Sequence, residues 1–69
     1  MTTFELEFYE AGIKDANEAR RITIASRSER FTALSKKHGL KIDEKSVQAG
    51  TAYNKGVADE INRQTRLEF

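Results

Sequence analysis

The chain of 69 residues has no cysteine, no proline and no tryptophan, and a single histidine. Without cysteine there is no disulfide and no thiolate, and one histidine builds neither a metal site nor a Ser-His-Asp relay. A domain this small buries too little surface to be robust by itself, and crosslinks and structural metal are both excluded as reinforcement. What remains is assembly, so a homodimer or a bound partner is expected. No apolar run approaches the roughly 20 residues that span a bilayer. The first ten residues are acidic and alternating, unlike a secretory signal. Together with the missing cysteine, these features set the expectation at a cytoplasmic protein with no membrane partner and no cofactor. The glycines, at positions 12, 39, 50 and 56, are too scattered to cradle a phosphate. Asp43 with Glu44, and Asp59 with Glu60, read as solvated helix surface, so an enzyme is not expected.

What is present is a segregation of charge. From Arg20 to Lys41 lie Arg20, Arg21, Arg27, Arg30, Lys36, Lys37 and Lys41, against the one acid Glu29. Before that block, Glu5, Glu7, Glu10, Asp15 and Glu18 face only Lys14. A formal net charge of +1 hides a basic middle behind an acidic start. Such a patch suits a surface that meets phosphate, or one that balances its acidic neighbour.

The periodicities predict a small α+β domain over residues 1–69, with short N-terminal strands followed by two helices. Phe4, Leu6 and Phe8 alternate with Glu5, Glu7 and Tyr9, which reads as a half-buried strand ended by Ala11 and Gly12. Residues 13–19 read as a loop or a single helical turn. The β-branched alternation of Ile22, Thr23 and Ile24 reads as a second strand over residues 20–25. Ser26-Arg27-Ser28-Glu29 has a capping-box pattern that starts a helix with Phe31, Leu34 and His38 on one face, closed by Gly39. His38 reads as a rim residue near the helix end. Asp43 caps a longer helix from residue 44 to about residue 66, with Ile42 and Val47 in staple positions. Ala49, Tyr53, Val57 and Ile61 form an i,i+4 row along it. Gly50 and Gly56 inside this helix mark either close helix approach at a dimer seam or a break near Gly50. Tyr53, Val57 and Ile61 are the expected dimer interface. Leu67 and Phe69 either dock or fray.

A basic strand, Arg20-Arg21-Ile22-Thr23-Ile24-Ala25-Ser26, followed by a short helix closed by Lys37-His38-Gly39-Leu40 and a longer helix, resembles the ribbon-helix-helix DNA-binding proteins. The resemblance implies strands paired between two subunits and inserted in the major groove of double-stranded DNA. Ile22 and Ile24 would then face the core, and Arg21 and Thr23 would face outward to read bases. Arg20, Arg27, Lys36 and Lys37 would hold phosphates, with Ser26 and the following helix N-terminus as further phosphate contacts. The function expected on this basis is a small DNA-binding transcription regulator. The alternative is a non-enzymatic protein-interaction factor, a phage- or plasmid-type inhibitor or assembly adaptor, whose acidic hairpin and basic helix balance each other and which binds a protein partner through its apolar stripe; should DNA not bind, the basic residues become candidates for contacting an acidic partner. If Arg20, Arg21 and Arg27 share a face with Lys36 and Lys37, free of carboxylates, DNA is favoured; if they pair with Glu5, Glu7 and Glu10 across a sheet, the patch is internal balance.

Overall fold

The computed structural model describes residues 1–41 and 43–67, and among them there are three α-helices, one 3-10 turn and no strand. The helices are α1 (Thr3–Ala19), α2 (Glu29–His38) and α3 (Glu44–Leu67), with the turn at Ala25–Arg27. The α+β expectation is therefore corrected to an all-helical fold. The ribbon-helix-helix resemblance falls with it, because the residues assigned to the ribbon form no strand. The N-terminal alternation was too short to decide between two periods. Phe4 and Phe8 are also an i,i+4 pair, and Ala11, Gly12, Asp15 and Ala16 extend their stripe at helical spacing. Leu6, which the strand reading needed inside, lies exposed on the opposite side. A capping box at Thr2 and Glu5 starts α1, and Gly12 continues it rather than ending it.

α1 stops where Arg20 turns left-handed at φ 53°, its N–H bonded to the Ala16 carbonyl. The cap of α2 is Ser28, not Ser26: its hydroxyl accepts from the Phe31 N–H, while Ser26 lies in the 3-10 turn. Gly39 closes α2 in the left-handed region, as its position predicted. Asp43 accepts from the Ser46 N–H at the start of α3. That helix continues through Gly50 without a break. Ile42, Leu67 as a side chain, and Phe69, which the staple and docking expectations involved, lie outside the described residues.

α1 and α3 run side by side in the same direction. A Cβ on Gly12 would lie 2.1 Å from the Tyr53 carbonyl oxygen, and one on Gly56 would lie 2.0 Å from that of Tyr9. Each glycine thus sits on the other helix's backbone. Further along both helices, Asn17 bonds to Glu60, and Gln64 to the Ala16 carbonyl. α2 runs the other way along α1, with Arg30 against Asp15 and Glu18, and Lys37 against Glu7. The core is small: Phe8 and Tyr53 are fully buried, with Ala11, Ala16, Ala49, Ala52 and Val57. Phe8, Phe31 and Tyr53 link one helix to the next by tilted and edge-on ring contacts at centroid separations of 5.2 and 5.4 Å, a favoured aromatic geometry. Alanines and glycines let the two long helices approach closely. A thin core is then filled by few large side chains.

Candidate functional site

The linker from α1 to α2 arches over a polar cluster and an open cavity of about 710 Å³. At the base is Asp15 of α1. Its carboxylate accepts hydrogen bonds from the Ser28 hydroxyl, from Tyr53 OH at 2.6 Å and from Arg30 at 2.8 Å. Tyr53 has one hydroxyl proton and gives it to Asp15. The 2.9 Å contact between Thr23 Oγ1 and Tyr53 OH is therefore donated by Thr23. One carboxylate thus joins α1, the cap of α2, the buried tyrosine of α3 and, through that tyrosine, the linker. Burial pushes the Asp15 carboxyl up, but the bonds from Ser28, Tyr53 and Arg30 outweigh it and leave it below its ordinary value. Burial and the Asp15 bond both push the Tyr53 phenol up. The cluster is thus held ionised at Asp15 and neutral at Tyr53. Ionised and fully bonded, Asp15 is a structural tie rather than a proton acceptor for chemistry.

Around this base the basic block divides into two groups. Arg30 is committed to Asp15 and Glu18, and Lys37 to Glu7 at 3.2 Å. His38 Nε2 lies 2.5 Å from the same Glu7, and its ring packs on Phe4 and Phe8. Hydrogen bonds from His38 and Lys37 lower the Glu7 pKa, and those from Arg30 lower the Glu18 pKa. Arg20, Arg21, Arg27 and Lys36, by contrast, are exposed and make no ion pair among the described residues. Arg21 and Arg27 line the 710 Å³ cavity, and Arg27 and Lys36 line a smaller neighbouring one of about 330 Å³. Glu29 borders both cavities.

The linker's side chains point opposite to the expected sense. Thr23 turns inward to Tyr53, whereas Ile22 and Ile24 are 71% and 56% exposed. The reason is polar: a fully buried tyrosine hydroxyl needs partners, and Thr23 supplies one where isoleucine cannot. Of the residues expected to meet DNA, Arg20, Arg21, Arg27 and Lys36 are exposed and make no ion pair among the described residues, and Thr23 and Lys37 have partners within the chain. Tyr53 and Val57 of the expected dimer seam are buried in the chain's own core, and Ile61 is half-buried beside it. The linkage through Asp15 was missed. Its one sequence trace was Asp15 sharing the helical stripe of Phe8 and Ala11, a polar residue on an apolar face.

No group of acidic residues and histidine among the described residues is arranged to hold a metal ion, and no described helix is long and apolar enough to cross a membrane. No family model matches the chain, and no curated protein or solved structure matches it either.

Proposed function

We propose that this chain is a non-enzymatic protein-interaction factor that docks an acidic, apolar-bearing segment of another protein on the surface formed by residues 20–24 and Arg27. The observation that carries the reading is the pair of exposed isoleucines, Ile22 and Ile24, which line one cavity with Arg21 and Arg27, two guanidinium groups that make no ion pair among the described residues. Arginine is enriched at protein-interface centres, and the two exposed isoleucines beside these arginines offer apolar area that a partner can bury. A phosphate-binding surface gains nothing from two solvent-facing isoleucines. Two of the block's cations are also already spent on Glu7, Asp15 and Glu18. A different protein fits better than a second copy, because Tyr53 and Val57 are already covered by α1. A cytoplasmic setting belongs to this proposal and rests on the absence of cysteine.

Duplex DNA is the rival ligand, because Arg21, Arg27 and Lys36 line two adjoining cavities and make no ion pair among the described residues. The test places a photo-crosslinking amino acid at position 22 in cells that make the protein naturally. In parallel, purified protein is titrated with duplex at several salt concentrations. The expected result is a crosslink that maps to an acidic stretch of one protein and disappears in Arg21→Glu/Arg27→Glu, with no duplex binding below about 100 µM, the weak end of ordinary nonspecific affinity. Tight duplex binding that weakens steeply with salt, without a protein crosslink, would overturn the proposal in favour of DNA.

A further inference from the structure

The linker carries unused hydrogen-bonding capacity beneath its side chains. Residues 21–23 make no backbone hydrogen bond within the described chain, and the first bond after Arg20 runs from the Arg27 N–H to the Ile24 carbonyl. Exposed polar backbone of this kind is satisfied by water and is open to exchange for a partner. Ile24 has the extended conformation of a β-strand, φ −117° and ψ 126°. The side chains alternate accordingly, with Thr23 turned in to Tyr53 and Ile22 and Ile24 turned out. The Thr23 bond fixes the segment to a fully buried residue, so little further ordering is needed for a partner to use it.

We infer that residues 22–24, beyond the bend at Arg21, form a one-sided β-edge that accepts an extended, acidic segment of a partner protein by strand addition. This rests on the docking reading above and adds how the partner is held: by main-chain bonds to the edge, with alternate apolar side chains against Ile22 and Ile24 and carboxylates toward Arg20, Arg21 and Arg27. Charge selects the occupant. A second copy would bring the same arginines against one another, whereas an acidic strand neutralises them. Among the described residues there is no strand for it to pair with inside the chain.

The full chain, labelled for amide detection by nuclear magnetic resonance, is titrated with a short peptide alternating glutamate and valine. Two further versions are N-methylated on alternate amides, one along each edge. The unmodified peptide is expected to move the amide signals of residues 22–24 and to slow exchange of those that face it. Methylating one edge, but not the other, is expected to weaken binding by about tenfold or more, as loss of two hydrogen bonds implies. Equal binding of all three peptides overturns strand addition and leaves the docking surface standing. Binding by none overturns strand addition, and the crosslink at position 22 then decides the docking reading separately. If the chain alone sediments as a dimer that the peptide disperses, the edge belongs to a second copy and the acidic partner is overturned.

Discussion

Replacing each of two glycines of α3 by alanine should change stability in opposite directions. Alanine is the better helix former by about 1 kcal/mol, so wherever there is room Gly→Ala stabilises a helix. At Gly50 a Cβ would meet nothing within 4 Å. Gly50→Ala should therefore gain about 1 kcal/mol, which for a domain of this size raises Tm by roughly 4–8 °C. At Gly56 the new Cβ would sit 2.0 Å from the Tyr9 carbonyl oxygen and 3.1 Å from the Ile13 amide nitrogen. Ordinary contact needs about 3.5 Å, so α1 and α3 would have to part by about 1.5 Å. The obstacle is helix backbone, which cannot swing aside as a side chain can. Parting the helices also loosens the contacts of Phe8, Ala16, Ala52 and Tyr53 along the whole seam. Overpacking of this kind costs about 1–3 kcal/mol, and the lost seam contacts add to it. After the propensity gain is offset, Gly56→Ala should lose about 2 kcal/mol and lower Tm by roughly 8–16 °C. Gly12→Ala, facing the Tyr53 carbonyl, should behave like Gly56→Ala. Thermal melts followed by circular dichroism at 222 nm read all three. A Gly56→Ala protein as stable as the wild type would refute the close parallel packing of α1 on α3.

Two further outcomes follow from the polar cluster and the ion pairs. Ser28→Ala removes both the cap of α2 and a donor to Asp15, and should cost about 1–2 kcal/mol in urea unfolding, whereas Ser26→Ala should be near neutral; the reverse order would put the helix start at Ser26. Hydrogen bonds from Arg63 and Asn17 hold the Glu60 carboxyl at about 2, below its ordinary 4.5. A lowered folded-state pKa contributes stability above the unfolded value that is lost as pH falls. Unfolding midpoints should therefore drop between about pH 4.5 and 2, and Glu60→Gln should flatten that slope. A wild-type midpoint unchanged across that range would contradict the pairing.

The sequence alone determined the features that depend on a few neighbouring residues. Gly39 ends α2 because only a short stretch of backbone and a missing Cβ are involved. Asp43 starts α3, and its row of Ala49, Tyr53, Val57 and Ile61 stays in phase over several turns, long enough to exclude a strand. The N-terminal segment was not decidable in this way. Phe4, Leu6 and Phe8 satisfy a strand and a helix equally over so few residues. Tertiary packing selected the helix, because it brings Phe4, Phe8, Gly12 and Ala16 together on one side for α3 to cover. The role of Gly12 was equally invisible, since it exists only where the Tyr53 carbonyl comes to rest against it. The charge block shows the same division. Its sign and extent are written in the residues from Arg20 to Lys41. Which of its members are neutralised was decided by α1 running antiparallel to α2, which sets Glu7 by Lys37 and Asp15 by Arg30. The orientation of the linker was settled by one buried hydroxyl. Tyr53 OH, which donates to Asp15, kept an acceptor lone pair that Thr23 donates to, and the isoleucines on either side were left facing water.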